Sequence, residues 1–294
     1  MNTAVSIVYT GFVLGSIFAT SAVGLALMYG TLRFLNLAHG GFLIVGGYVA
    51  WLVADRLGVP FYLAMVIATV AGAGLGLLTY FSMLRPLLGV GSPRWDIATI
   101  MASVGLAIII EAVILLVFGP RLKSLPPAID GKIIVGTIVV QYNALFIGVL
   151  AVLILVVTHW FLKSSRSGIA LRAVAENVQA AYLMGIPSGR VFASTVAIAG
   201  ALATAAGVLL GSFYLLRPSG GLDPMMTAIV VVVFGGLGSI PGTIVAAYII
   251  GMLQAAVSVF LGVKWASPVL FAFMILVLIV RPYGLYGRPE DVRV

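Results

Sequence analysis

Apolar runs of bilayer-spanning length recur along the chain at 5–30, 36–54, 61–84, 97–118, 142–162, 191–211, 242–260 and 266–281. A span needs roughly 20 such residues, so these predict eight transmembrane helices. A shorter apolar run, 225–235, predicts either a ninth crossing or a short, broken one. Pro60, Pro86, Pro120, Pro126, Pro127, Pro187, Pro218, Pro224, Pro241 and Pro268 all fall near the ends of these runs, where proline punctuates helices. One segment departs from the pattern. Residues 163–190, KSSRSGIALRAVAENVQAAYLMGIPSGR, form the longest polar, helix-competent stretch. Leu171, Val174, Val178 and Ala181 recur at spacings of 3, 4 and 3, one stripe of an α-helix, with Arg172, Glu176 and Gln179 on the other side. Ser167 can cap its start. Gly185 can close it in a left-handed conformation, and Pro187 prevents continuation. The spacing predicts one continuous helix of about four turns, lying along the membrane surface. Two roles fit it: a lever gripped by another protein, or an interfacial helix that seals the bundle.

Composition sharpens this picture. Of 294 residues, 62% are hydrophobic and 8% charged, against about 25% charged in a soluble domain, so the chain is an integral membrane protein. Its 35 glycines suit close helix approach. Ala68, Gly72 and Gly76, and likewise Ala203, Gly207 and Gly211, form stripes for contacts within the chain or between subunits. The net charge of +8 lies in loops, where it sets orientation rather than marking a nucleic-acid partner. With the N-terminus outside and nine crossings, inner loops hold ten basic residues: Arg33, Arg85, Arg94, Lys163, Arg166, Arg172, Arg190, Arg281, Arg288 and Arg293. Outer loops hold six: Arg56, Arg121, Lys123, Lys132, Arg217 and Lys264. This places 163–190 in the cytoplasm. No Lys or Arg occurs in the first ten residues, so the first span is expected to be retained rather than cleaved. The chain has no cysteine, hence no disulfide or thiolate metal site. In the outer loop 119–141, Asp130-Gly131 precedes a β-branched run and predicts a hairpin turn at that pair.

Few ionisable residues lie inside the spans. Glu111 is the only acidic one well within a long span, where a carboxylate is costly and faces a pathway or a partner, unless it reaches the headgroups. Asn36 and His39 stand at the start of 36–54. His39 either hydrogen-bonds across helices or lines the path, and with His159 distant in sequence a metal site is not expected. The run Gly235-Gly236-Leu237-Gly238-Ser239-Ile240-Pro241-Gly242 lacks the Lys-Ser or Lys-Thr of a phosphate-binding loop. Gly236 and Gly238 thus belong either to a helix break that exposes backbone to substrate or to a tight inner turn.

Four stretches carry a family resemblance. RAVAENVQAAYLMGIPSGRVF resembles the cytoplasmic coupling segment of permease subunits of bacterial ABC importers, in particular the branched-chain amino acid (Liv) permease family. Residues 15–48, with the core Asn36-Leu37-Ala38-His39-Gly40, resemble that family's N-terminal signature. Residues 224–251 resemble its C-terminal glycine-rich signature, and RPYGLYG at 281–287 is also similar. Two departures stand out: Thr20-Ser21 where an Ala-Leu type pair is commoner, and Phe42 where an acidic residue often follows, which argues against a charge-based role there. The resemblance covers the whole chain. It implies an all-α, polytopic membrane helix bundle forming a single permease domain over 1–294 in the bacterial inner membrane. It implies as partners a second Liv-type permease, two cytoplasmic ABC ATPases and a periplasmic substrate-binding protein. ATP and magnesium would sit on the ATPases, with no cofactor in this chain. The cargo would be branched-chain or related amino acids, moved by alternating access, although urea and short amides use similar permeases. The coupling role maps onto Arg172, Ala175, Glu176, Asn177, Ala180, Ala181 and Gly185. Without the resemblance, a stand-alone secondary transporter or channel is the main alternative, and Glu111 is the only group suited to ion coupling. An intramembrane enzyme would need a His-Glu-x-x-His motif or an acidic pair inside the spans, and the sequence has neither.

Overall fold

In the computed structural model, which describes residues 2–89, 95–135 and 138–287, the apolar runs become packed helices. These are α1 (Asn2–Leu32), α2 (His39–Trp51), α3 (Phe61–Thr79), α4 (Arg85–Gly89), α5 (Trp95–Phe118), α6 (Tyr142–Ser164), α7 (Arg166–Glu176), α8 (Val178–Leu183), α9 (Ser188–Phe213), α10 (Leu222–Gly235), α11 (Ile240–Phe260) and α12 (Ala266–Val280). An antiparallel hairpin, β1 (Lys132–Val135) with β2 (Ile138–Gln141), lies between α5 and α6. Among the described residues, seven helical stretches are long and apolar enough to cross a membrane. The chain is thus an all-α polytopic membrane bundle. Helices satisfy their own backbone where no water can. The hydroxyls of Ser16, Thr20 and Thr31 do the same, donating to the carbonyls of Phe12, Ser16 and Leu27 one turn back.

α1 is the axis, packed against α6, α9, α10 and α11 and almost wholly buried from Gly11 to Met28. α5 and α12 lie outermost. The small-residue stripes make contacts within the chain. Gly72 and Gly76 of α3 meet Gly200 and Val196 of α9, and Gly207 meets the backbone of Leu43 on α2. The Tyr9 hydroxyl donates to the Gln141 carbonyl at 3.2 Å, so α1 starts at the hairpin end. Its far end joins Leu171 and Val174 of α7 in one core cluster. Arg33, Arg85, Lys163, Arg166, Arg172, Arg190 and Arg281 lie at helix ends or in α7, on the α7–α8 side. Arg56, Arg121, Lys123, Lys132, Arg217 and Lys264 belong to the hairpin side. Arg94, Arg288 and Arg293 lie outside the described residues.

The structure corrects three expectations. The hairpin does not turn at Asp130-Gly131. Those residues precede β1, whose last residue, Val135, pairs with Ile138 of β2. The polar helix is not continuous either. Asn177 adopts φ −155° and ψ 109°, ending α7, and its side chain accepts from the Ala180 N–H at 2.9 Å to cap α8. The break turns Val178 out to solvent while Leu171, Val174 and Ala181 stay buried against the bundle. The cap of α7 is Ser165, not Ser167, and its hydroxyl accepts from the Gly168 N–H at 2.9 Å. Gly185 does take the expected left-handed conformation, φ +80°. Replacing Asn177 with alanine is expected to weaken α8 by about 1 kcal/mol. Amide exchange over 178–183 should then be roughly fivefold faster.

The third correction bears on function. The run 36–54 does not cross from end to end. After α1, Arg33 takes a left-handed φ of +59° and the chain folds back into the bundle. Asn36 Oδ1 accepts from the Ala38 N–H at 3.0 Å, and the Leu37 N–H donates to Ser103 Oγ of α5 at 3.1 Å. His39 Nε2 then lies 3.1 Å from the carbonyl and 3.2 Å from the hydroxyl of Ser21, midway along α1. From there α2 runs to the hairpin end, extended by a π-helical turn at Leu52–Arg56. The run 225–235 behaves alike. After α9, residues 214–221 fold back, and α10 starts beside the start of α2, where a Cβ on Gly40 would lie 2.7 Å from the Gly221 carbonyl oxygen. α10 then runs the opposite way, ending where Gly238 meets Gly30 of α1. Its 14 residues reach about 21 Å at 1.5 Å each, short of the ~30 Å core. Long helix, return segment and half-helix thus occur twice, in opposite directions, the inverted arrangement of broken-helix transporters.

Candidate translocation cavity and polar surface helices

Where the two half-helices part, a cavity of about 660 Å³ opens on the hairpin side. Phe18 of α1, Leu43 and Ile44 of α2, Leu210 of α9 and Leu270 of α12 make its wall apolar, and Thr227 and Gln254 add polar groups. The return segment 214–221 forms its rim. It is held by Leu216, which exchanges two backbone hydrogen bonds with Lys123, at 3.0 and 2.8 Å, and seats its side chain against Gly47 and Gly211. Arg217 on this rim pairs with Asp223 in the first turn of α10 at 2.6 Å. A second cleft of about 300 Å³ lies at the other end of α10, between Tyr29, Val233, Leu237, Leu278 and Tyr283. The buried middle of α10 stands between the two.

The far end of α10 is clasped by the last described segment. Leu285 and Tyr286 donate their N–H groups to the carbonyls of Phe234 and Gly235, at 2.8 and 3.1 Å. They satisfy two of the carbonyls a helix end leaves open. The motif RPYGLYG therefore ties α12 to α10.

The family described as "Branched-chain amino acid transport system / permease component" matches residues 7–279. The chain belongs to this permease family. It is 34% identical to the high-affinity branched-chain amino acid transport system permease protein LivH of Salmonella typhimurium, over 96% of this chain and 95% of that one. It is 33% identical to LivH of Escherichia coli K12 over the same shares. To the permease protein BraD of Pseudomonas aeruginosa it is 30% identical, over 95% of this chain and 94% of that one. A solved structure, PsaBC from Streptococcus pneumoniae in complex with Fab, shares the fold at a TM-score of 0.54 and 15% identity, covering 97% of this chain and 94% of that one.

The permease separates the residues singled out in its sequence. Asn36 and His39 are buried where α2 begins, pinning the return segment rather than lining the cavity. Gly236 (φ +102°) and Gly238 (φ +82°) form a tight turn at the α7–α8 end, closed by Ser239 Oγ accepting from the Gly242 N–H at 3.3 Å. Glu111 sits on the outlying α5, away from the cavity wall, with no hydrogen-bonding or ionic partner among the described residues. Glu176, Asn177, Ala180 and Gly185 are exposed together and Ala175 is half-buried beside them. Arg172 is exposed but tethered, its guanidinium donating to the Lys163 carbonyl at the end of α6, 3.1 Å away. Ala181 points into the bundle. Sequence reasoning passed over Tyr182, Leu183 and Met184, three large apolar residues standing 69%, 84% and 83% exposed on α8 and just beyond it. Their signal is apolar bulk on a segment too polar to enter lipid. It also passed over Ser103, whose replacement by alanine leaves the Leu37 N–H without its partner. The expected cost is about 1–3 kcal/mol, read as a lower midpoint of thermal unfolding in detergent.

Proposed function

We propose that the permease is one of two membrane subunits of an ATP-driven importer of branched-chain or related amino acids. The observation that carries this reading is the placement of α10, a half-helix with a cavity at either end, preceded by the return segment 214–221 and capped by Leu285 and Tyr286. A small displacement of α10 would close one cavity and open the other, which is alternating access built on a broken helix. The hairpin side faces outward and receives amino acid from a periplasmic binding protein. The α7–α8 side faces the cytoplasm of a bacterial cell. Two cytoplasmic ATPases hold ATP and magnesium and dock on the exposed surface around Glu176, Ala180, Tyr182, Leu183 and Met184. Because Leu171, Val174 and Ala181 anchor that surface in the same core cluster as Val230 and Val231 of α10, its movement is transmitted inward through contiguous packing. A second Liv-type permease covers outer apolar faces such as that of α5.

Affinity isolation of the chain from its native membrane, with Glu176→Arg beside it, tests the assembly. Two ATPases and a second permease should accompany the wild type and be depleted from the variant. A chain recovered alone would point to a stand-alone transporter and make Glu111 the next residue to replace.

A further inference from the structure

An ion pair stands on the rim of the larger cavity. Arg217 and Asp223 are 54% and 68% exposed, so water reaches both, and an exposed pair of this kind adds little to stability. Asp223 lies in the first turn of α10, two residues after Gly221, where the two half-helices meet. Charged residues inside a membrane bundle are rare and face water-filled paths. Most of the remaining wall is apolar, with Phe18, Leu43, Ile44, Leu210 and Leu270, and its other polar side chains, such as Thr227, Gln254 and Ser267, carry no charge. One cation and one anion, adjacent, on a cavity without other charged side chains among its lining residues are the complement of a molecule with one carboxylate, one ammonium and an aliphatic body.

We infer that Arg217 and Asp223 are a specificity-determining pair that opens to receive a zwitterion, Arg217 taking the carboxylate and Asp223 the ammonium of an aliphatic amino acid. The inference rests on the amino-acid import reading above. Arg217 offers the planar fork that matches a carboxylate, and Asp223 offers acceptors for an ammonium. Opening the pair is cheap because it is solvated. A zwitterion restores both charge contacts at once, and its side chain lies against Phe18 and Leu43. A simple amine or a simple carboxylic acid would leave one partner unpaired, so the pair selects against both. Arg217 is carried by the segment that Leu216 and Lys123 hold in place, so the site forms only while the rim is docked.

The test is uptake of radiolabelled leucine by the complete complex in proteoliposomes. Wild type is compared with Arg217→Gln, Asp223→Asn, the double variant and Arg217→Lys, with complex assembly measured for each by gel filtration. Each neutral single variant should lose at least tenfold in uptake per assembled complex. The double variant should be no better than either single, and Arg217→Lys should recover part of the loss. A double variant restored to the wild-type rate would mean a purely structural pair and overturn the inference, as would singles that transport like wild type. A wild-type complex that assembles but takes up no leucine would overturn the amino-acid reading itself, and the inference with it.

Discussion

Replacing Leu183 and Met184 together with aspartate is expected to abolish recovery of the partner ATPases while leaving the permease folded in the membrane. Both side chains are more than four-fifths exposed in the isolated chain, on a segment outside the apolar spans. Buried against a partner, each would contribute about 1.5–3 kcal/mol. Losing about 4 kcal/mol lowers affinity roughly a thousandfold. The substituted carboxylates add the cost of burying unpaired charge. The bundle itself should be untouched, because the anchoring face of α7 and α8 is made by Leu171, Val174 and Ala181. Membrane yield, thermal midpoint and co-purification, measured in parallel, separate the two effects. A double variant that still recovers the ATPases in full would remove this surface from the docking account.

The second large effect is expected inside the bundle. A Cβ on Gly207 falls on the carbonyl of Leu43, and one on Gly46 falls on the backbone of Thr204. α2 and α9 cross there backbone to backbone, which only glycine permits. Gly207→Val or Gly46→Val must therefore separate α2 from α9, and because the clash is with main chain no rotamer relieves it. The cost should exceed the ~3 kcal/mol at the upper end of ordinary overpacking, and most of the folded permease should be lost. Gly74 on α3 is the control: nothing lies within 4 Å of a Cβ built there, so Gly74→Ala should match the wild type or slightly exceed it. Fluorescence-detected gel filtration after heating distinguishes these outcomes.

Much of this architecture was legible in the sequence, and what was not has physical reasons. Long apolar runs announce helices because bilayer thickness dictates their length, and runs such as 97–118 and 242–260 became α5 and α11 almost residue for residue. Hydropathy says nothing about depth, however. The shortness of 225–235 already allowed a broken span, but 36–54 looks like a full one, and contacts such as His39 with Ser21 and Gly40 with Gly221 reveal that it starts part-way along the bundle. The break at Asn177 was hidden for a similar reason. The apolar spacing of 3, 4 and 3 continues across it, while the same asparagine that leaves the helix is a good cap for the next one. Gly185 was readable because a glycine followed by proline two residues on is a local signal. Ser21 was noticed only as a departure from the family pattern, yet its carbonyl and hydroxyl both contact His39. Partners far apart in sequence, like Leu285 and Tyr286 on the end of α10, depend on tertiary contacts that no local pattern encodes.

The most direct test of the central claim is leucine flux through proteoliposomes that contain this permease with its partner permease, both ATPases and the binding protein. Leucine should accumulate against its gradient only when ATP, magnesium and every subunit are present, and not when the ATPases are omitted. Leucine flux through the permease alone, down its gradient and indifferent to ATP, would contradict the claim.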